Sequence, residues 1–83
     1  MTEPNRHELT KVYEHLTEGQ PRRFDRVLEV EDPATGAIEV LGYSGGEVVA
    51  SVHGTYDAAD TNPLGQLEAH AQATLAAMRV LIA

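Results

Sequence analysis

The stretch HGTYDAAD, which follows the third predicted strand, has the residues best suited to chemistry. Four of its side chains can bind a metal ion or transfer a proton: His53, Tyr56, Asp57 and Asp60. Their spacing differs from that of a calcium-binding EF-hand loop. Aspartates also favour turns and helix starts. We therefore interpret the stretch as a loop first and as a small-ligand site second.

The histidines are the next candidates for metal binding. They are His7, His15, His53 and His70. No two of them have the i, i+4 helical spacing or the i, i+2 strand spacing with which one segment holds a metal ion. The chain has no cysteine. The sequence therefore predicts no metal site and no cofactor, and we identify no catalytic motif or catalytic residue in it.

Carboxylates lie along the predicted outer face of a small sheet. We expect Glu29 to lie opposite Glu39, where like charges repel. Such a pair suits acid–base catalysis or metal binding, but a small flat sheet has no cleft. The face is interpreted either as a solvated surface or as a surface that docks a basic partner. Its main residues are Glu29, Glu31, Glu39, Leu41, Tyr43 and Glu47.

The elements that would position these side chains follow from periodicity and capping residues. We expect a first helix N-capped by Asn5, with Glu8 completing a capping box and Gly19 ending it. Its apolar stripe is Leu9, Val12, Tyr13 and Leu16. Three strands follow, in RRFDRVLEVE, AIEVLGY and EVVASVHG. Asn62 and Pro63 then begin a second helix.

The strands are expected to form an antiparallel sheet with one apolar face. That face consists of Phe24, Leu28, Val30, Ile38, Val40, Val48, Ala50 and Val52. A three-residue SGG loop would set Val40 opposite Ala50. The predicted fold is therefore an α+β domain spanning residues 1–83, in the order αβββα, with both helices on one face of the sheet.

The last helix has two apolar stripes. The first is expected to cover the sheet and consists of Leu64, Leu67, Ala71, Leu75, Met78 and Ile82. The second consists of Ala69, Ala73, Ala76 and Val80, and small residues at this spacing let another helix approach closely. We interpret the second stripe as an interface with a second copy or a foreign protein. Plain helix propensity is the alternative explanation.

Composition narrows the class of partner. The 83 residues include 13 Asp and Glu against 6 Lys and Arg, for a net charge of −7. This charge favours basic partners and disfavours nucleic acid and anionic membranes. The absence of cysteine, of a signal-peptide core and of a membrane-length apolar run indicates a cytoplasmic protein.

The predicted element order resembles that of double-stranded-RNA-binding domains. The last helix here opens NPLGQLEAH, without the Lys or Arg through which such domains bind, so direct nucleic-acid binding is not expected. Our leading hypothesis is a non-enzymatic interaction module, an inhibitor or regulator that docks through an acidic surface. It would mimic nucleic-acid charge, as phage-type inhibitors do. The alternative is a homodimeric enzyme or small-ligand binder with its pocket at the dimer seam.

Overall fold

A four-stranded antiparallel sheet with strand order β1-β2-β3-β4 is the centre of the fold. The computed structural model describes residues 4–59 and 62–83. The strands are β1 (Asn5–Glu8), β2 (Arg26–Asp32), β3 (Ala37–Ser44) and β4 (Glu47–Thr55). Helix α1 (Thr10–Leu16) connects β1 to β2, and α2 (Pro63–Ile82) follows β4. In the described part of the chain, neither helix combines the length and apolar character that crossing a bilayer requires.

The α+β class is confirmed, but the predicted order αβββα is wrong because a fourth strand, β1, precedes the first helix. Residues predicted as the first helical turn instead pair with β2, from Asn5 opposite Glu31 to Glu8 opposite Leu28. Glu8 therefore makes no capping box. Its carboxylate accepts a 2.9 Å hydrogen bond from Arg26, which holds the pKa of Glu8 below its usual value. The element order therefore differs from that of double-stranded-RNA-binding domains.

The β3–β4 hairpin has a tighter turn than predicted. Gly45 and Gly46 form a two-residue turn with φ values of +62° and +83°, which side-chain-bearing residues rarely adopt. This turn alone would set Val40 opposite Ser51, but a register shift of one residue next to Gly42 sets it opposite Val52 rather than the predicted Ala50. A β-bulge next to Gly42 corrects the alternation, so that Val40, Ala50 and Val52 all contact the core as expected.

The side chains of β2 that face the core are the opposite set from those predicted. Phe24 precedes the strand in an irregular segment, so its alternation phase does not continue into β2. Its ring lies over Gly42, where a Cβ would come within 2.7 Å of it. As a result Val27, Glu29 and Glu31 face the helices, while Leu28 and Val30 lie on the other face. Glu29 pairs with Val40 and Val30 with Glu39, so the predicted Glu29–Glu39 pairing is also wrong.

Helix α2 begins as predicted but presents a different face to the sheet. The Asn62 side chain accepts hydrogen bonds from the Leu64 and Gly65 backbone N–H groups, with Pro63 at the first helical position. Leu64 and Leu67, predicted to be core, are 76% and 65% exposed, and Ala71 and Leu75 are also exposed. The buried side chains are Ala77, Met78 and Leu81. Small residues such as Ala77 lie against the strands and let the helix approach closely. Leu64, Leu67 and Leu75 then face outward.

Both helices contribute to one hydrophobic core. Its buried members are Tyr13, Phe24, Val27, Ile38, Val40, Ala77, Met78 and Leu81. Of the predicted alanine interface, Ala73 is half-buried and packs against this core. Ala69 is half-buried, while Ala76 and Val80 are exposed. Val12 and Leu16, which belong to the predicted apolar stripe of α1, are 47% and 39% exposed.

Candidate metal centre

Four potential metal ligands converge between the sheet and α2. They are His7, Glu29, Glu31 and His70, and one ligand atom from each lies within 4.8 Å of all the others. The alternation of β2 places both glutamates on the inner face, and strand pairing sets His7 directly opposite Glu29. His70 comes from the inward side of α2. The cluster therefore depends on three separate elements of the chain.

Each imidazole lies close to both carboxylates. The Nε2 atom of His7 is 2.7 Å from Glu31 Oε1 and 3.8 Å from Glu29 Oε2. The Nε2 atom of His70 is 2.7 Å from Glu29 Oε2 and 3.8 Å from Glu31 Oε1. Two nitrogen and two oxygen atoms thus surround one small volume, as the ligands of a single cation do.

The two glutamates are buried with little positive charge around them. Glu29 is 1% exposed and Glu31 is 6% exposed. Within residues 4–59 and 62–83, their ion-pair partners are the two histidines, and no lysine or arginine pairs with either carboxylate. Burying carboxylates is costly unless they are paired or coordinate a metal ion. A divalent cation would supply the positive charge that two adjacent buried carboxylates require.

Two hydroxyl groups hold the carboxylate oxygens that face away from the histidines. Thr74 Oγ1 donates a hydrogen bond to Glu29 Oε1, and the Tyr56 hydroxyl donates one to Glu31 Oε2. Each glutamate therefore presents one oxygen to the cluster while the other is held. Partners of this kind fix the orientation of metal ligands in known metal sites.

The hydrogen bonds around Glu31 also affect the protonation of Glu31 and Tyr56. Burial raises the pKa of Glu31, but the hydrogen bonds from Tyr56 and His7 outweigh it, so this pKa lies below its usual value. The hydrogen bond to Glu31, together with burial, raises the pKa of Tyr56 to about 12. At neutral pH Glu31 is thus ionised and Tyr56 is a neutral hydrogen-bond donor.

The cluster is open to solvent. The side chain of His7 is 40% exposed, and that of His70 is 19% exposed. Two cavities, of about 390 and 280 Å³, are both lined by His7, Leu67 and His70. The larger also has polar side chains, among them Glu31 and Tyr56. An ion held here would be accessible to water or to a small molecule, which it could bind as a further ligand beside the four protein ligands.

The side chains of the predicted small-ligand site in HGTYDAAD do not lie together in the structure. Tyr56 reaches the cluster as the partner of Glu31. His53 instead lies on the other face of the sheet, 3.3 Å from Glu39. Asp57 makes a turn by accepting a hydrogen bond from the Ala59 N–H, which is the structural role considered for it. Asp60 lies outside the described residues.

The predicted acidic sheet face loses two of its members. Glu29 and Glu31 are buried on the helix-covered face, because the phase of β2 is reversed. Glu39, Leu41 and Tyr43 are half-buried on the outer face, and Glu47 is exposed next to the hairpin turn. Arg26 also lies on this face, 5.5 Å from the Tyr43 ring, so its charge is mixed. Docking of a partner there stays a prediction.

Sequence reasoning missed His7, His70 and Thr74 as site residues. It searched for histidine pairs within one segment, whereas the cluster joins residues far apart in the chain. The available signal was His70 and Thr74, polar residues four apart in an apolar helix. Comparisons with protein-family models, curated proteins and solved structures give no match, so the functional argument depends on this geometry.

Proposed function

We propose that this protein binds one divalent transition-metal ion between His7, Glu29, Glu31 and His70. The observation that supports this most directly is the convergence of two buried carboxylates and two imidazole nitrogens within 4.8 Å. Imidazole and carboxylate ligands suit zinc and neighbouring divalent metals of the first transition row. We take zinc as the test ion.

The hydrogen bonds of the cluster are compatible with metal binding. For each histidine to ligate, its Nε2 must offer a lone pair, so the proton shared with a glutamate moves to Nδ1 or leaves. The glutamates keep their bonds to Thr74 and Tyr56, because those bonds involve the other oxygens. Binding therefore replaces two hydrogen bonds and leaves the supporting shell in place.

Access to the cluster favours a metal-dependent catalytic or ligand-binding role over a structural one. Two cavities reach His7 and His70, so water or substrate could approach a bound ion and become a fifth ligand. This agrees with the small-ligand alternative drawn from the sequence, although these cavities form within one chain rather than at a dimer seam. The acidic docking module stays a second proposal, supported by the net charge of −7.

Titration with zinc tests the proposal. We expect isothermal calorimetry of the metal-free protein to give one ion per chain. His70→Ala should weaken binding by at least about 100-fold, since outer partners alone typically contribute roughly 10–100-fold. His53→Ala is the matched control, because His53 also lies beside a glutamate but on the opposite face of the sheet. Circular dichroism should show that both variants remain folded.

Two results would contradict the proposal. One is the absence of saturable binding of Zn²⁺, Co²⁺, Ni²⁺ or Mn²⁺ by the folded wild-type protein. The other is equal loss of affinity in the His53 and His70 variants, which would place the ion elsewhere or show non-specific binding to an acidic surface.

A further inference from the structure

An apolar cavity adjoins the proposed metal site. It has a volume of about 280 Å³, and its apolar side chains include Val12, Leu67 and Leu75. Three of the four proposed ligands, His7, Glu29 and His70, line the same cavity. A mostly apolar pocket with a few converging polar groups is typical of small-molecule sites.

Three apolar side chains that line this cavity do not belong to the hydrophobic core. Val12 is 47% exposed, Leu67 65% and Leu75 37%. They come from α1 and α2 and border an opening between these helices. Apolar side chains around an opening next to polar groups mark a surface that gains stability when a ligand covers it.

We propose that this cavity holds the apolar part of a small carboxylic acid or acid derivative whose oxygen-donor head group ligates the metal ion. The inference rests on the proposed metal site. Without the ion, Glu29 and Glu31 would repel an anionic head group. With it, their charge would be neutralised, and the ion could take the head group as a further ligand from the side of the cavity. The larger cavity, which includes Glu31, Tyr56 and Gln66, is less suited to an apolar body.

Alkyl hydroxamic acids of increasing length test this inference on the Co²⁺-loaded protein. Acetohydroxamic, butanohydroxamic, hexanohydroxamic and octanohydroxamic acids share one metal-binding head and differ only in the apolar part. Changes in the visible Co²⁺ spectrum report binding of the head. We expect affinity to rise with length, by up to roughly fourfold per buried methylene, until the cavity is filled.

A pair of leucine variants locates the apolar part. Leu67→Gln should flatten the dependence on chain length, because Leu67 lines the cavity. Leu64→Gln is the matched control: Leu64 is an exposed leucine of the same helix and is not part of the lining. It should leave the length dependence unchanged, and both variants should bind Co²⁺ as the wild type does.

The outcomes separate this inference from the proposed function. Equal affinity for the short and long acids with Co²⁺ bound would overturn the inference and leave the metal site standing. Failure to bind any of Zn²⁺, Co²⁺, Ni²⁺ and Mn²⁺ would overturn both. A dimer in light scattering that Leu67→Gln dissociates, without a chain-length effect, would identify a second copy as the occupant and also overturn the inference.

Discussion

Glu29 and Glu31 show how neighbouring residues decide what a carboxylate does. The two lie on the same face of β2, and each has one oxygen beside a histidine and the other held by a hydroxyl group. Charged residues are rarely buried unless they are paired. The sequence predicts them on the solvent side, because they alternate with Leu28 and Val30, which it assigns to the core. Their partners come from β1, α2 and the segment after β4, which strand alternation alone does not reveal.

Removing the phenol hydroxyl of Tyr56 should weaken metal binding without removing a ligand. Tyr56→Phe leaves Glu31 Oε2 without its donor, so the carboxylate is less well oriented. We expect zinc affinity to fall roughly 10–100-fold, the range typical of outer partners. Competition with a chromophoric chelator measures this change.

Tyr43→Phe provides the comparison for that variant. Tyr43 lies on the outer face of the sheet, near Arg26 and away from the cluster. Its zinc affinity should equal that of the wild type. Equal affinities in all three proteins would show that Tyr56 does not position Glu31.

Helix α2 shows why a correct element can still be oriented wrongly. Its start was predictable because Asn62 and Pro63 have local roles. Its orientation was not, since two apolar stripes competed and the larger side chains were assigned to the core. In the fold the small Ala73 and Ala77 permit close packing, while His70 and Thr74 contact Glu29.

Two substitutions in α2 test which face is buried. Met78→Ala should lower the free energy of unfolding by about 2–5 kcal/mol, because Met78 is 1% exposed and truncation leaves a cavity. Leu64→Gln should change it by no more than about 0.5 kcal/mol, as exposed positions typically do. Urea denaturation measures both. A Leu64 effect as large as that of Met78 would support the leucine-inward orientation instead.

The remaining elements also include some that the sequence predicts and some that it does not. The presence of the β3–β4 hairpin was predictable, because Ile38 and Val40 alternate and glycines mark the turn, but its two-residue turn and its register were not. Strand β1 was not, since its polar sequence NRHE becomes extended only by pairing with β2. Its resemblance to a capped helix start was a local signal that long-range pairing overrode. The candidate site was missed for the same reason, since His7 lies on this strand.

At the scale of the whole molecule, a chain of 83 residues has a small margin of stability. An ion that binds only the folded state raises that margin by mass action. At a free zinc concentration of 100 times Kd, the gain is about 2.7 kcal/mol. For a domain of this size that corresponds to a rise of roughly 10 °C or more in Tm. Thermal denaturation with and without zinc measures the rise.

Two controls belong to that experiment: a chelator, and a protein variant that lacks one of the proposed metal ligands. EDTA should return the Tm to its metal-free value. His70→Ala should show little change with zinc, because the variant lacks one of the four ligands. A zinc-dependent rise of equal size in the variant would attribute the effect to other groups on the acidic surface.

Strand β1 also determines what the molecule exposes to its neighbours. Its four residues cover part of one edge of β2, whose backbone groups would otherwise be free to pair with another chain. Through His7, the proposed ion would hold this short strand in place. Losing the ion would loosen the strand and uncover a sheet edge able to recruit further copies. Metal supply would then govern aggregation as well as any chemistry at the site.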